Sequence, residues 1–223
     1  MNKALLVLGV LSAAIAISPV AVAVDRELPA FADAPDPQTH PWLKEQLLKR
    51  RYPCPAGSSQ FTGPPDAPIK ITEFVDYLCP YCQEEETTIK KVLAKYPGQI
   101  KLIVKYHPLE EHKGALSRAK VAQAMAAQGK FWQAHEQFLH GANSDGVMKE
   151  ADKSKLKEYW DGGGDGQVDA DLQLAKKLGL NITPSFVIDG IRIGGPIGEG
   201  AFKGLIDYEL ARKHSQEKDE KED

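Results

Sequence analysis

The segment Phe74–Gln83, FVDYLCPYCQ, places two cysteines two residues apart where a strand-like run meets a helix-like one. Upstream, Ile69-Lys70-Ile71-Thr72-Glu73-Phe74-Val75 alternates with the period of a β-strand. Downstream, Glu86, Ile89, Leu93 and Tyr96 recur at helical spacing with Val92 alongside, and Pro97-Gly98 ends the run. Pro80 suits the first turn of that helix, where a missing N–H costs nothing. Ile100 to Tyr106 then reads as a mostly buried strand. Strand, helix and strand in this order imply a parallel pair joined by a right-handed crossover. The fold is thereby held to the α/β class, with the cysteine pair at the end of its first long strand.

The rest of the chain fits that frame. From about Glu110 to Leu178 the periodicity is helical. Ala115, Ala119, Ala122 and Ala126 form a small-residue stripe that allows close helix packing, and Phe131, Trp132, His135, Phe138 and Leu139 form an apolar one. Leu156, Tyr159 and Trp160 mark a short helix, and Leu172, Leu174, Ala175 and Leu178 mark another that Gly179 stops. The aromatic and methionine residues of this region are expected in the core. Ser185 to Ile188 and Ile191 to Ile193 read as strands joined at Asp189-Gly190, a strong hairpin signal. Phe202, Leu205, Ile206 and Leu210 mark a closing helix, and the charged stretch 213–223 is expected to be disordered.

The N-terminal region reads as export machinery. Lys3 precedes an apolar run, Ala4 to Ile17, then Pro19 and the small-x-small sequence Ala21-Val22-Ala23. The run is shorter than the roughly 18–20 residues that span a bilayer, which favours a leader cleaved near Ala23 over a retained anchor. Export to the periplasm or beyond is expected. Residues 24–41 read as linker, and His40 to Arg51 as a short helix with Trp42, Leu43, Leu47 and Leu48 near one face. So short a helix is marginal alone, so it either docks on the main domain or pairs two chains through residues 40–54. Cys54 follows between prolines, either free or paired between chains. The expected map is a signal peptide at 1–23, a linker and short helix at 24–58, a main domain at 59–212 with a helical insertion at about 110–179, and the tail at 213–223. The net charge of −3, without a basic stripe, argues against a nucleic-acid partner.

Three cysteines in 223 residues do not build a disulfide scaffold, so a pair kept for chemistry is the better reading. One pair plus the distant Cys54 also falls short of the four ligands of structural zinc, and no metal is expected. The thiolate is the nucleophile, and a helix start stabilises it through the dipole and free N–H groups. Cys79 is expected to be the exposed attacking sulfur, and Cys82, one turn in, the buried resolving one. Glu73 falls on the apolar face of its strand and could exchange a proton with Cys82 through water. Glu86, one turn after Cys82, is a second candidate, whereas Glu84 and Glu85 are expected to face solvent. Pro80 and Tyr81 set the stiffness and local field between the cysteines. Thr183-Pro184 precedes the hairpin, and the residues alone favour the commoner trans bond there.

The segment from Glu73 to Cys82, followed by Glu86, resembles the active-site segment of the DsbA-like thiol-disulfide oxidoreductases of the thioredoxin superfamily. Tyr106-His107-Pro108-Leu109 with His112, Gly129-Lys130-Phe131-Trp132, and Thr183 to Gly190 resemble later motifs of that family, in order, over about residues 59–210. The resemblance implies a thioredoxin-like fold, a central mixed sheet flanked by helices, with a helical insertion between its halves. It implies a cis Thr183-Pro184 bond beside Cys79, with Pro80, Tyr81, Thr183 and Pro184 contacting substrate. It implies no cofactor beyond the Cys79–Cys82 disulfide, cysteine-containing exported proteins as substrates, and a membrane redox partner that restores the pair. The Pro-Tyr dipeptide is similar to that of glutaredoxins and Thr183 to the isomerase and reductase branches, so oxidation, reduction and isomerisation all stay open. A non-catalytic, chaperone-like module with a stable disulfide is the alternative.

Overall fold

The computed structural model describes residues 51–164 and 166–222. The signal peptide, the linker and residues 40–50 of the short helix lie outside the described residues. The strands are β1 (Phe61–Thr62), β2 (Ile69–Val75), β3 (Ile100–Tyr106), β4 (Ser185–Ile188) and β5 (Ile191–Gly194). The helices are α1 (Pro80–Lys95), α2 (Ala115–Ala126), α3 (Phe131–Leu139), α4 (Ser144–Met148), α5 (Lys153–Asp161), α6 (Gly166–Lys177) and α7 (Glu199–Glu222).

The five strands form one mixed sheet in the order β1-β3-β2-β4-β5. β2 and β3 run parallel, with Ile69 opposite Ile100 and Val75 opposite Tyr106, joined by α1 as the crossover. β4 pairs antiparallel with both β2 and β5. Asp189 and Gly190 both take positive φ, 46° and 90°, which is what a tight hairpin turn of this hand requires. The sheet order and flanking helices make this a thioredoxin-like fold, and α2 to α5 form the insertion between its halves.

Each face of the sheet has its own core. Ile69, Ile71, Val75, Leu102, Val104 and Phe186 belong to the larger one, with buried residues of α1, the insertion and α7. Phe74 and Val187 face the smaller one, with Ala175, Leu178, Leu180 and Cys54. The period-2 alternation of β2 therefore sends Glu73 into the larger core and its neighbour Phe74 into the other.

Two boundaries and one burial expectation differ from the sequence-based map. Residues 51–58 are not linker. Tyr52 N–H donates to Gly190 O at 2.8 Å, Arg51 bonds the buried Glu209 at 2.7 Å, and Cys54 is buried. A buried carboxylate on α7 requires a cation, and the prolines keep this segment extended enough to deliver one. Residues 51–54 thus lie against their own domain. The charged tail is helical to Glu222, because Lys213 reaches Asp189 at 2.5 Å and Arg212 reaches Glu209 and Gln216 one turn either way. Charged residues that lack an apolar stripe still form helix when such pairs anchor the first turns. Finally, Phe131, Phe138 and Met125 are buried as expected, but Trp132 and Trp160 are 36% and 39% exposed. Trp132 follows Phe131 by one residue, a rotation of about 100°, so only one of the two can face the core. α5, which carries Trp160, buries no residue at all.

Candidate active site

β2 ends at Val75, and Asp76-Tyr77-Leu78 turns the chain into α1. Asp76 builds that turn. Its backbone carbonyl accepts from Cys79 N–H at 3.1 Å, and its carboxylate accepts from Leu78 N–H at 2.7 Å. Cys79 is the N-cap of α1, with extended φ −74° and ψ 119°, and Pro80 follows at the first helical position. The Cys79 carbonyl accepts the first helical bonds, from Cys82 and Gln83 N–H. The two sulfurs are thus presented on adjacent turns of one helix start.

Cys79 is not the exposed sulfur that its place at the helix start predicts. Cys79 is 3% exposed and Cys82 is fully buried. The cover comes from the loop before β4: Cys79 Sγ lies 3.2 Å from Thr183 O. Thr183-Pro184 is cis, as the resemblance implied and the residues alone did not. Gly195 N–H bonds Pro184 O at 2.9 Å and ties this loop to the end of β5. Pro80 is exposed and Tyr81 is 58% exposed, so both stand at the surface beside the buried thiols. All three cysteines are free thiols.

Electrostatics separate the pair. Hydrogen bonding from the Cys82 thiol, opposed by burial and assisted by the Cys82 and Tyr81 N–H groups, pulls the Cys79 thiol down to about 5. The Cys82 thiol is pushed well up, first by burial, then by its hydrogen bond to Cys79 and the charge there. Near neutral pH the arrangement is a Cys79 thiolate beside a protonated Cys82. Cys54 sits on the other sheet face, raised by burial, and does not join them.

The acids divide differently from expectation. Glu73 is 1% exposed, and neither carboxyl oxygen has a hydrogen-bond partner among the described residues. Burial, then the charges of Glu86 and Glu85, push it well above the usual carboxylate range, so it is a neutral acid in the core. Glu86 is partly covered, paired with Lys90 at 3.1 Å, and raised by burial against that pairing. Its other oxygen lies 3.9 Å from His135 Nε2, while His135 Nδ1 meets the Tyr77 hydroxyl at 3.1 Å. Burial pushes His135 down to about 3, so this is a neutral imidazole rather than an ion pair. Glu84 is exposed as expected, but Glu85 is buried. Glu85 accepts Ile197 N–H at 3.0 Å and is pushed up by burial to about 7. The signal for it was present: Glu85, Ile89, Val92 and Tyr96 share one buried stripe at helical spacing.

Two residues that sequence reasoning left without a chemical role complete the site. Asp76 is fully buried in its side chain and collects Leu109 N–H and His112 Nδ1, each at 2.8 Å, besides Leu78 N–H. Next to the Thr183 loop, a cleft of about 660 Å³ is lined by His107, Leu109, Leu172, Lys176 and Asn181, among others. Among the described residues, no cluster of three or more His, Cys, Asp or Glu side chains is placed to hold a metal, and no helix is long and apolar enough to cross a membrane.

A family model described as Thioredoxin matches residues 56–208. Over 174 residues the chain is 26% identical to a Na(+)/H(+) antiporter, NhaA 3, of Salinispora tropica, covering 73% of this chain and 26% of that protein. The chain spans about a quarter of the length of the curated relatives it matches. Among solved structures, it is similar to a thioredoxin-like oxidoreductase from Silicibacter pomeroyi, with a TM-score of 0.62 and 25% identity over 70% of this chain and 94% of that one. It is also similar in fold to the thiol-disulfide exchange protein alpha-DsbA2 of Wolbachia pipientis, with a TM-score of 0.60 and 19% identity over 75% and 92% of the two chains.

Proposed function

Because the chain belongs to the thioredoxin family, whose model spans residues 56–208, we propose that it is a protein thiol-disulfide oxidoreductase working through Cys79 and Cys82. The observation that carries this is the inequality of the two thiols at one helix start, beneath the Thr183-Pro184 loop. In the oxidising direction a substrate thiolate attacks Cys79 Sγ. The Cys79–Cys82 bond breaks, and Cys82 leaves with the electron pair and takes up a proton. A second substrate thiolate then attacks the substrate sulfur of the mixed disulfide, and Cys79 leaves as the stabilised thiolate. The substrate loses two electrons and the protein gains them. Reduction and isomerisation start from the opposite side, with the Cys79 thiolate attacking a substrate disulfide.

Cys82 must lose a proton whenever it resolves the mixed disulfide. Glu73 lies in the same core and acts as the local proton store, with Glu86 linking it toward solvent at Lys90. Exposed Pro80 and Tyr81, the Thr183-Pro184 loop and the adjacent cleft form the surface for an extended substrate chain. The leader-like N-terminus supports export, cysteine-containing exported proteins as substrates, and a membrane partner that resets the pair.

The test is covalent trapping. Cys82→Ser should accumulate a mixed disulfide with a disulfide-containing substrate protein, the Cys79 thiolate attacking the substrate disulfide and releasing a substrate thiolate, and Cys79→Ser should accumulate none. Equal trapping by both variants, or by neither, contradicts the assignment. Comparing the wild type on reduced and on scrambled substrate then separates oxidase from isomerase.

A further inference from the structure

The chemistry above leaves a charge without a fixed partner. Each turnover passes through a state with a full negative charge on Cys79, and neither residue between the cysteines, Pro80 or Tyr81, is cationic. The helix start and neutral donors meet part of that demand. The remaining question is whether another element brings a positive charge to the same end of β2.

The connection from β3 to α2 does so. Leu109 N–H and His112 Nδ1 both bond Asp76 Oδ2 at 2.8 Å, so one carboxylate oxygen fastens both ends of this short loop. Asp76 belongs to the turn that delivers Cys79, and its own carbonyl holds Cys79 N–H. Two residues past His112, a Cβ on Gly114 would lie 3.7 Å from the Leu78 side chain, so the loop also packs on the residue before the nucleophile. Asp76 offers only acceptors to its three N–H donors, which makes Nδ1 the protonated nitrogen of His112 and leaves Nε2 to gain or lose the second proton. His112 is 27% exposed, so it can exchange that proton with solvent.

We infer that Asp76 and His112 form a positioning pair that holds a cationic imidazolium against the turn that carries Cys79, where its charge stabilises the Cys79 thiolate formed in each turnover. The inference rests on the reading of Cys79 as the redox nucleophile. His112 is raised above the ordinary histidine value by its bond to Asp76 first, with smaller contributions from the charges of Asp76, Cys79 and Glu111. Arg118, from α2, also faces Asp76 and bonds Tyr77 O at 3.1 Å, and the neutral His107 faces Asp76 from the end of β3. The charges that act on His112 from Asp76, Cys79 and Glu111 are all negative. A pair so arranged responds to redox state, because oxidation removes the Cys79 charge and leaves Asp76 in place.

That response is the test. The His112 ring protons are titrated by NMR in the reduced and the oxidised protein, with Cys79→Ser as control. The expected result is a His112 pKa higher in the reduced form by about half a unit or more, the scale of a nearby opposite charge, and no dithiol-dependent difference in the control. In parallel, the pH dependence of Cys79 alkylation is compared between wild type and His112→Gln. Its midpoint should rise by a similar amount in the variant, and His112→Lys should restore part of the loss. Identical His112 titrations in both redox states, with Cys79 still titrating near 5, would overturn the pair while sparing the thiol chemistry. A wild-type Cys79 titrating like an ordinary thiol would instead remove the reading on which the pair depends.

Discussion

A thiol at a helix start meets unpaired backbone N–H groups, and Cys79 meets a second thiol as well. Those donors outweigh its burial, whereas Cys82, one turn deeper, has burial and the Cys79 charge against it. A consequence follows for stability. Reduced Cys79 titrates at about 5 in the folded chain, below the roughly 8.5 of a free thiol. The unfolded chain thus binds that proton more tightly, and stability rises with pH through the window. The contribution is complete above the unfolded value and is lost as pH falls through the folded one. The disulfide form has no such proton. The stability of the reduced form relative to the oxidised one should therefore decline from about pH 8 to pH 4, read from paired urea transitions. A difference that is flat with pH would count against a depressed Cys79. At this scale Cys79, Cys82 and Glu73 were legible because spacing and alternation place them. Asp76 and His112 were not, because what joins them is a bond between two loops, and no local period encodes it.

Among the elements, α1 and the loop before β4 make the site, and the rest hold them. Glu85 ties α1 to Ile197, just before α7, and the loop bond from Gly195 to Pro184 continues that tie to the Cys79 cover. On the other side of the sheet, Lys105 of β3 donates to Asp171 of α6 at 2.8 Å, with Ser59 and the Ala56 carbonyl as further acceptors. Both partners are buried, and Asp171 also takes Tyr106 N–H at 3.1 Å. Removing one member leaves a buried charge alone, so Asp171→Ala should cost about 3–5 kcal/mol in denaturant unfolding, with Asp171→Asn costing less. A loss under about 1 kcal/mol would mean that the pair behaves like a surface bridge. The strands and most helices were readable from period and punctuation. The helical tail and the docked 51–58 segment were not, because Lys213–Asp189 and Arg51–Glu209 are contacts over more than twenty residues of separation that hydropathy does not carry.

The whole molecule is a thioredoxin-family domain in which a helical insertion lies between the β3 and β4 halves of the sheet. Placement follows from that order. β2 carries Glu73 to one end of the sheet and the turn after it carries Asp76, the crossover starts there with both cysteines, the β3–α2 connection contributes His112 and α3 contributes His135, and the chain returns through Thr183-Pro184 to close the same end. Chain order alone implied this convergence only through the resemblance, since the cis bond and the cover it gives Cys79 belong to the assembled fold. The central claim is that this assembly makes Cys79, and not Cys82, the thiolate. The most direct measurement is an ultraviolet thiolate titration of the reduced protein and of each single-cysteine variant of the pair. The account predicts a transition near pH 5 in the wild type that is absent from Cys79→Ser. A wild-type protein whose first thiol transition falls at about 8.5, the ordinary free-thiol value, would contradict it.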